Sequence, residues 1–268
     1  MPSRSRFLAT LAGLIVLAGP IAANDFTVKI TAAQIGLPQA VKPSDKDEAK
    51  QSSHVSKFAA WAPVYLDLEV LTAVSEGVLI VVESADPDEI STTLAVPLNI
   101  FPLNVSGAKV GTHITAAEFG GIGYIRPAGI GEATITIRGA ASGKDLSEPF
   151  RVRSLRPRDR LSYVVLTLGP HIPDFELPKP PVGSSEQASG FRGGRVELTE
   201  LTDANQLPDR WFGYDAADLV VLNTAPGADE FIERLFGEKA TAVDLAKRAA
   251  LIEWVRRGGR LVVSVGGN

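Results

Sequence analysis

The sequence predicts a β-rich region followed by an α/β region, a multi-domain chain whose second part contains a mostly parallel sheet. In the first half, apolar and polar residues alternate in short runs such as Val64–Val70, the period of a half-buried strand. In the second half, continuous apolar runs alternate with helical segments, which favours parallel strands joined by right-handed crossovers. The 268 residues are enough for two ordinary domains.

The last helix and strand of the sequence, within Thr241–Gly267, have the clearest signals. Thr241 and Asp244 have the spacing of a capping box, and apolar residues then recur every three or four positions. Lys247 is expected on a polar face of this helix, which Gly258 and the next glycine should end. The run Leu261–Val265 does not alternate, so we expect a strand covered on both faces.

The region 26–150 contains short strands separated by turn signals, a pattern typical of an immunoglobulin-like β-sandwich. The polar stretch Lys42–Lys57 is predicted to be a mobile loop. The α/β region is predicted to contain these strands and this helix: Tyr163–Leu168, Val196–Leu201, Leu219–Leu222, Glu230–Phe236 as the helix, and Leu261–Val265. The irregular stretch 169–194 is long for a compact domain, so it is interpreted as functional or disordered.

The first residues have the pattern of an export signal. Arg4 and Arg6 precede the apolar run Phe7–Leu17, and Gly19-Pro20 breaks that run shortly before Ala23. We therefore predict a signal peptide at 1–23, a β-sandwich domain at 24–155 and an α/β domain at 156–268. The predicted location is the periplasm or cell envelope. The alternative is an uncleaved leader that associates with the membrane.

Composition excludes several kinds of chemistry. The net charge of −4 argues against non-specific nucleic-acid binding, which needs a basic surface. The chain has no cysteine, so disulfides, zinc thiolates and a cysteine nucleophile are excluded. The three histidines, His54, His113 and His171, lack metal-ligand spacing. No metal site and no cofactor are predicted.

Ligands of α/β sheets usually bind where the strands end. These ends carry Gly169-Pro170-His171, Asn223-Thr224 and Ser264. Ser264 lacks the G-x-S-x-G elbow, because Val262 stands where its first glycine should be. No catalytic, cofactor-binding or metal residue is therefore predicted. The alternative is a hydrolase site in which Ser264, His171 and an aspartate such as Asp174 assemble.

Two further clusters have ordinary interpretations. Trp211 and Tyr214 could form a stacking surface, but we expect them to pack at the edge of the sheet, since buried aromatic rings contribute mainly apolar area. The five arginines between Arg151 and Arg160 could bind an anion or an acidic lipid. A solvated strand and linker is the favoured interpretation, since charge runs of this size usually face water.

The segments LPDRWFGYDAADLVVLNT and AALIEWVRRGGRLVVSVGG support a family resemblance. Over residues 161–268 they resemble the class I glutamine amidotransferase-like, flavodoxin-like domains of uncharacterised exported bacterial proteins of the planctomycete type. Such enzymes use a cysteine, a histidine and a glutamate. The missing cysteine implies a non-catalytic member, and no catalytic residue transfers.

These observations predict an exported, non-enzymatic binding or scaffolding protein of the cell envelope with an unidentified partner. A parallel sheet that finishes with its best strand, and with no closing helix, should leave one face or edge uncovered. We therefore expect the chain to be the front part of a longer protein, or a truncated gene product, with an incomplete α/β domain.

Overall fold

The structure is a computed structural model that describes residues 26–38, 54–72, 74, 76–85, 90–98, 111–127, 131–155, 157–172 and 196–264. The strands are β1 Val28–Ile35, β2 Leu37–Pro38, β3 His54–Val55, β4 Ala62–Val70, β5 Val78–Ala85, β6 Ser91–Leu98, β7 Thr112–Thr115, β8 Gly123–Ile125, β9 Gly131–Gly139, β10 Phe150–Leu155, β11 Tyr163–Leu168, β12 Val196–Leu201, β13 Leu219–Asn223 and β14 Leu261–Ser264. The α-helices are α1 Asp229–Phe236 and α2 Ala242–Arg256, and 3-10 turns occupy Ala116–Phe119, Ala204–Gln206 and Trp211–Tyr214.

Two antiparallel sheets, built from β1 and β4–β10, enclose one hydrophobic core, and together they are called the antiparallel unit. One sheet has the order β1-β4-β7, with β8 also paired to β4, and the other has the order β10-β9-β5-β6. Leu66 of β4, Ile80 of β5 and Ile135 of β9 meet in this core. The alternating sequence explains the arrangement, because every second side chain of a strand points to the same face.

Strands β11–β14 and the two α-helices form a second unit, called the parallel unit. Its four strands have the order β12-β11-β13-β14, and all of their pairings are parallel. Leu166 of β11 and Leu222 of β13 pack in one core with Phe231 of α1 and with Leu251 and Trp254 of α2. The chain is therefore β-rich and contains a parallel sheet, as the sequence predicts at this coarser level.

The ends of α2 agree with the sequence. The amide of Asp244 donates to the Thr241 hydroxyl at 3.2 Å, and the amide of Thr241 donates to the Asp244 carboxylate at 3.1 Å. This reciprocal pair is the predicted capping box. After the helix, Gly258 has a φ of +103°, a left-handed conformation that favours glycine.

Two predictions about this part of the chain are wrong. Val262 and Val263 are 50% and 48% exposed, so β14 is not covered on both faces. The reason is its position at the edge of the sheet, where β13 is its strand partner within the described residues. Lys247 was expected on a polar helix face, but its side chain is fully buried.

The prediction of a mobile loop over Lys42–Lys57 is wrong for its last residues. His54–Val55 forms β3, which pairs with β2, and both Val55 and Leu37 are buried in the core of the parallel unit. The rest of that predicted loop lies outside the described residues, as do the leader at 1–23 and residues 173–194 of the irregular stretch. Within the described ranges, no helix has the length and apolar character needed to cross a membrane.

Candidate functional site

The carboxyl ends of β11, β13 and β14 lie on neighbouring strands, so the structure brings the predicted strand-end residues to one edge of the parallel sheet. We call them the strand-end cluster: Gly169, His171, Asn223, Thr224 and Ser264. Gly169 has a φ of +99°, and a Cβ atom there would lie 3.1 Å from the main-chain oxygen of Asn223. Glycine at this position therefore permits a close approach between the two loops.

Asn223 holds two loops of the cluster together. Its side chain is buried, and its Nδ2 donates to the main-chain oxygen of Pro170 at 2.9 Å. Its Oδ1 accepts a hydrogen bond from the amide of Ala225, also at 2.9 Å. Both ends of the side-chain amide are thus satisfied by main-chain groups, which is the usual state of a buried amide.

Thr224 and Ser264 connect the ends of β13 and β14. The Thr224 hydroxyl donates to the main-chain oxygen of Ser264 at 2.7 Å, and the Thr224 amide donates to the same oxygen at 3.1 Å. Ser264 therefore contributes its backbone to the cluster. In the described part of the chain, no hydrogen bond joins the Ser264 hydroxyl to His171, which a serine nucleophile with a histidine base would need.

His171 pairs with a residue that the sequence did not indicate. Its Nδ1 lies 2.8 Å from Oε1 of Glu200, while the imidazole remains 68% exposed. Glu200 lies on β12 opposite Thr167 of β11, so the parallel register brings it to the same edge of the sheet. Sequence reasoning could not find this pair, because the strand order decides which strand neighbours β11. Asp174, the predicted partner, lies outside the described residues.

A second polar cluster lies between the two units, and we call it the junction cluster. Lys247 of α2 donates to the main-chain oxygens of Ala204 at 3.2 Å and of Asn205 at 2.7 Å. Its Nζ also lies 3.4 Å from the main-chain oxygen of Ala117, which belongs to the antiparallel unit. Burial lowers the pKa of Lys247 to about 8, since it disfavours the charged form.

Two tyrosines of the antiparallel unit complete the junction cluster. Tyr124 donates to the carboxylate of Asp209 at 2.6 Å, and Tyr65 donates to the main-chain oxygen of Gln206 at 2.8 Å. Burial raises the pKa of Tyr124 and of Asp209, because each charged form would lose its hydration. These bonds cross between the units and fix their relative positions.

The aromatic residues Trp211 and Tyr214 have different roles. Tyr214 is fully buried in the core of the parallel unit, 5.9 Å from the ring of Trp254. Trp211 is half-buried, and the guanidinium of Arg257 lies 4.2 Å from its ring centroid. The packing interpretation is therefore confirmed for Tyr214, and Trp211 also packs against the same core while its ring makes a cation–π contact with Arg257.

An open groove of about 450 Å³ lies at the opposite, amino-terminal edge of the parallel sheet. Tyr163, Asp215, Asp218 and Arg260 line it, together with Trp254. Asp218 has a structural role, since its carboxylate accepts a hydrogen bond from the Val164 amide at 2.7 Å and forms an ion pair with Lys57. Burial raises the pKa of Asp215 to about 6. Across the described ranges, no group of three metal-ligating side chains is close enough to hold an ion.

No family model and no curated protein matches the chain. Among solved structures, a Niemann-Pick type C2 protein from Japanese carpenter ant aligns with 10% identity over 46% of this chain and 89% of that chain, at a TM-score of 0.26. A calcium-binding mutant of β-glucuronidase 2 from Bacteroides uniformis aligns with 10% identity over 90% of this chain, at a TM-score of 0.27. The chain spans 29% of that glucuronidase. Alignments with such low TM-scores establish neither the fold nor the function of this chain.

Proposed function

We propose that the chain is an exported, non-enzymatic binding or scaffolding protein of the cell envelope. In this proposal an immunoglobulin-like sandwich precedes an amidotransferase-like α/β domain that has no catalytic centre. The observation that carries the proposal is what the polar side chains of the strand-end cluster bind. The side chains of Asn223 and Thr224 form hydrogen bonds with main-chain oxygens and an amide, and these bonds join the loops. In an enzyme, polar groups at this place would be directed at a substrate.

The sheet orders support the fold in this proposal. Two facing antiparallel sheets around one core are the architecture of an immunoglobulin-like sandwich. The parallel order β12-β11-β13-β14 places the second strand of the unit at the edge and the first beside the third. Flavodoxin-like sheets begin with the same order, and amidotransferase-like domains belong to that type of sheet.

Turnover of model substrates tests the absence of catalysis. Purified protein is incubated with p-nitrophenyl acetate and with an amide substrate, beside the Ser264→Ala and Asn223→Asp variants. We expect no turnover above that of the Ser264→Ala variant, because Ser264 acts through its backbone. Turnover by the wild-type protein that Ser264→Ala removes would overturn the proposal.

Export is tested separately by mass. The full sequence is expressed in a bacterium that has a general secretion pathway, and the intact mass of the product is measured in each cell fraction. A periplasmic product that lacks residues 1–23 is the expected result. A full-length product confined to the cytoplasm would contradict export without affecting the proposal on catalysis.

One observation favours the alternative, an envelope hydrolase. A histidine whose Nδ1 is held by a carboxylate is the oriented half of a catalytic triad, and His171 with Glu200 has this geometry. A fluorophosphonate probe distinguishes the two functions. Labelling that is lost in both Ser264→Ala and His171→Ala, but kept in the matched His113→Ala variant, would establish the hydrolase. Absence of labelling in the wild-type protein supports the binding function.

A further inference from the structure

The groove at the amino-terminal edge of the parallel sheet brings together three polar side chains that the fold leaves available. Tyr163 begins β11, Asp215 ends the 3-10 turn before β13, and Arg260 directly precedes β14. These three strands are neighbours in the sheet, so their starts bring the three side chains to one groove. Asp218 also lines the groove, but its carboxylate already has two partners in the fold.

The polar atoms of these three side chains are only partly used. Within the part of the chain that the structure describes, the Tyr163 hydroxyl and the Arg260 guanidinium make no hydrogen bond and no ion pair. Burial raises the pKa of Asp215 to about 6, and it outweighs a hydrogen bond from the Trp61 main chain and the charge of Arg126, which both lower that pKa. A positive charge beside the Asp215 carboxylate would offset the hydration that the carboxylate loses.

Asp215 and Arg260 give the groove both signs of charge. They do not form an ion pair with each other, because in the described ranges no carboxylate oxygen lies within 4 Å of the Arg260 guanidinium. A simple cation in the groove would be repelled by Arg260, and a simple anion would be repelled by Asp215 and Asp218. A molecule that carries both charges meets an opposite charge at each end.

The size and walls of the groove suit a small molecule. Its volume of about 450 Å³ lies within the roughly 300 to 1,000 Å³ of small-ligand sites. The buried ring of Trp254 supplies an apolar surface for a short hydrocarbon part. Gly258 lines the groove without a side chain, and the space beside it is open, since nothing lies within 4 Å of a Cβ atom built there.

We propose that this groove binds a small zwitterion, such as a free amino acid, whose ammonium contacts Asp215 and whose carboxylate contacts Arg260. The Tyr163 hydroxyl both donates and accepts, so it serves either polar end of the ligand. The groove lies at the opposite edge of the sheet from the strand-end cluster. Binding here is therefore independent of whether that cluster catalyses a reaction.

Isothermal titration calorimetry on the purified wild-type protein at pH 7 is the first test. The probes are zwitterions of increasing charge separation, namely glycine, β-alanine and γ-aminobutyrate, with methylamine and acetate as singly charged controls. We expect saturable binding of at least one zwitterion, and binding of both controls that is weaker by about tenfold or more. No zwitterion binding up to about 10 mM, or a control that binds as tightly as the best zwitterion, would overturn the proposal.

The second test repeats the titration of the best zwitterion with Asp215→Asn and Arg260→Gln. Each variant should bind it about tenfold more weakly or worse, because one charged contact is lost. The controls are Asp229→Asn and Arg256→Gln, at exposed positions that do not line the groove, and they should bind as the wild-type protein does. Arg260 is exposed, so its variant should fold. Wild-type affinity in Arg260→Gln would overturn the proposal even if Asp215→Asn does not fold.

Discussion

The hydroxyl of Tyr124 both donates to and accepts from Asp209, across the contact between the two units. It donates to the carboxylate at 2.6 Å, and the Asp209 amide donates to the same hydroxyl oxygen at 3.1 Å. Tyr124 is fully buried, and its ring packs edge-to-face with that of Phe212, with 4.9 Å between the two ring centroids. One hydroxyl thus satisfies two polar groups that have little access to water.

Tyr124→Phe should destabilise the protein by roughly 2 to 3 kcal/mol. The variant keeps the aromatic packing but leaves the Asp209 carboxylate and amide without that partner, and hydrogen bonds to charged groups are worth about 1.5 to 3 kcal/mol. Urea denaturation at pH 7 measures the change. Tyr163→Phe, at the half-exposed start of β11, is the control and should change stability by under about 0.5 kcal/mol. Equal effects of the two variants would contradict the role of Tyr124.

Thr241→Ala should cost about 1 kcal/mol, because it removes the side-chain oxygen that accepts from the Asp244 amide. The same hydroxyl donates to the Asp244 carboxylate, so its loss also frees the acid that Arg234 contacts. Thermal denaturation followed by far-ultraviolet circular dichroism measures the effect. Thr202→Ala, at an exposed position outside any helix, is the matched control. A melting temperature equal to that of the control would show that the cap contributes nothing.

Gly259→Ala should destabilise the protein by roughly 1 to 3 kcal/mol through overpacking. A Cβ atom at Gly259 would lie 2.3 Å from the ring of Trp254, which is itself buried. Gly131→Ala is the control, since nothing lies within 4 Å of a Cβ atom there and no left-handed φ is required. Guanidinium denaturation followed by tryptophan fluorescence measures both changes. Unchanged stability of Gly259→Ala would mean that α2 can shift away from β14.

The stability of the protein should rise between pH 7.5 and pH 9.5 because of Lys247. The pKa of Lys247 is about 8 in the folded chain, whereas its ordinary value of 10.5 applies to the unfolded chain. The unfolded chain therefore binds more protons in this pH range. Stability then increases with pH, by about 2 kcal/mol up to pH 9.5. Urea denaturation at several pH values compares the wild-type protein with Lys247→Met, which should lack this increase. A wild-type curve parallel to that of Lys247→Met would contradict the shifted pKa.

The strand-end cluster was partly predictable from the sequence. The carboxyl ends of parallel strands lie at the same edge of a sheet. Once the strands are predicted from the sequence, His171, Asn223 and Ser264 are therefore also predicted to lie along that edge. The sequence did not indicate Glu200 as the partner of His171, because the spatial order of β12 and β11 is not encoded in any local pattern. It also did not indicate that Asn223 would bind two main-chain groups, since that depends on where the loop at Pro170 returns.

The sequence by itself determined the local structure of the parallel unit. Alternation, continuous apolar runs and the Thr241–Asp244 capping box predict β11, β12, α2 and its ends, because these signals act between residues that are close along the chain. The tertiary structure alone decided that Lys247 is buried and that Val262 and Val263 of β14 are exposed. Lys247 is buried because the turn at Ala117, 130 positions earlier, supplies an oxygen above it. Val263 is exposed because β14 lies at the edge of its sheet, and the identity of a strand's neighbours is fixed only when the whole chain has folded.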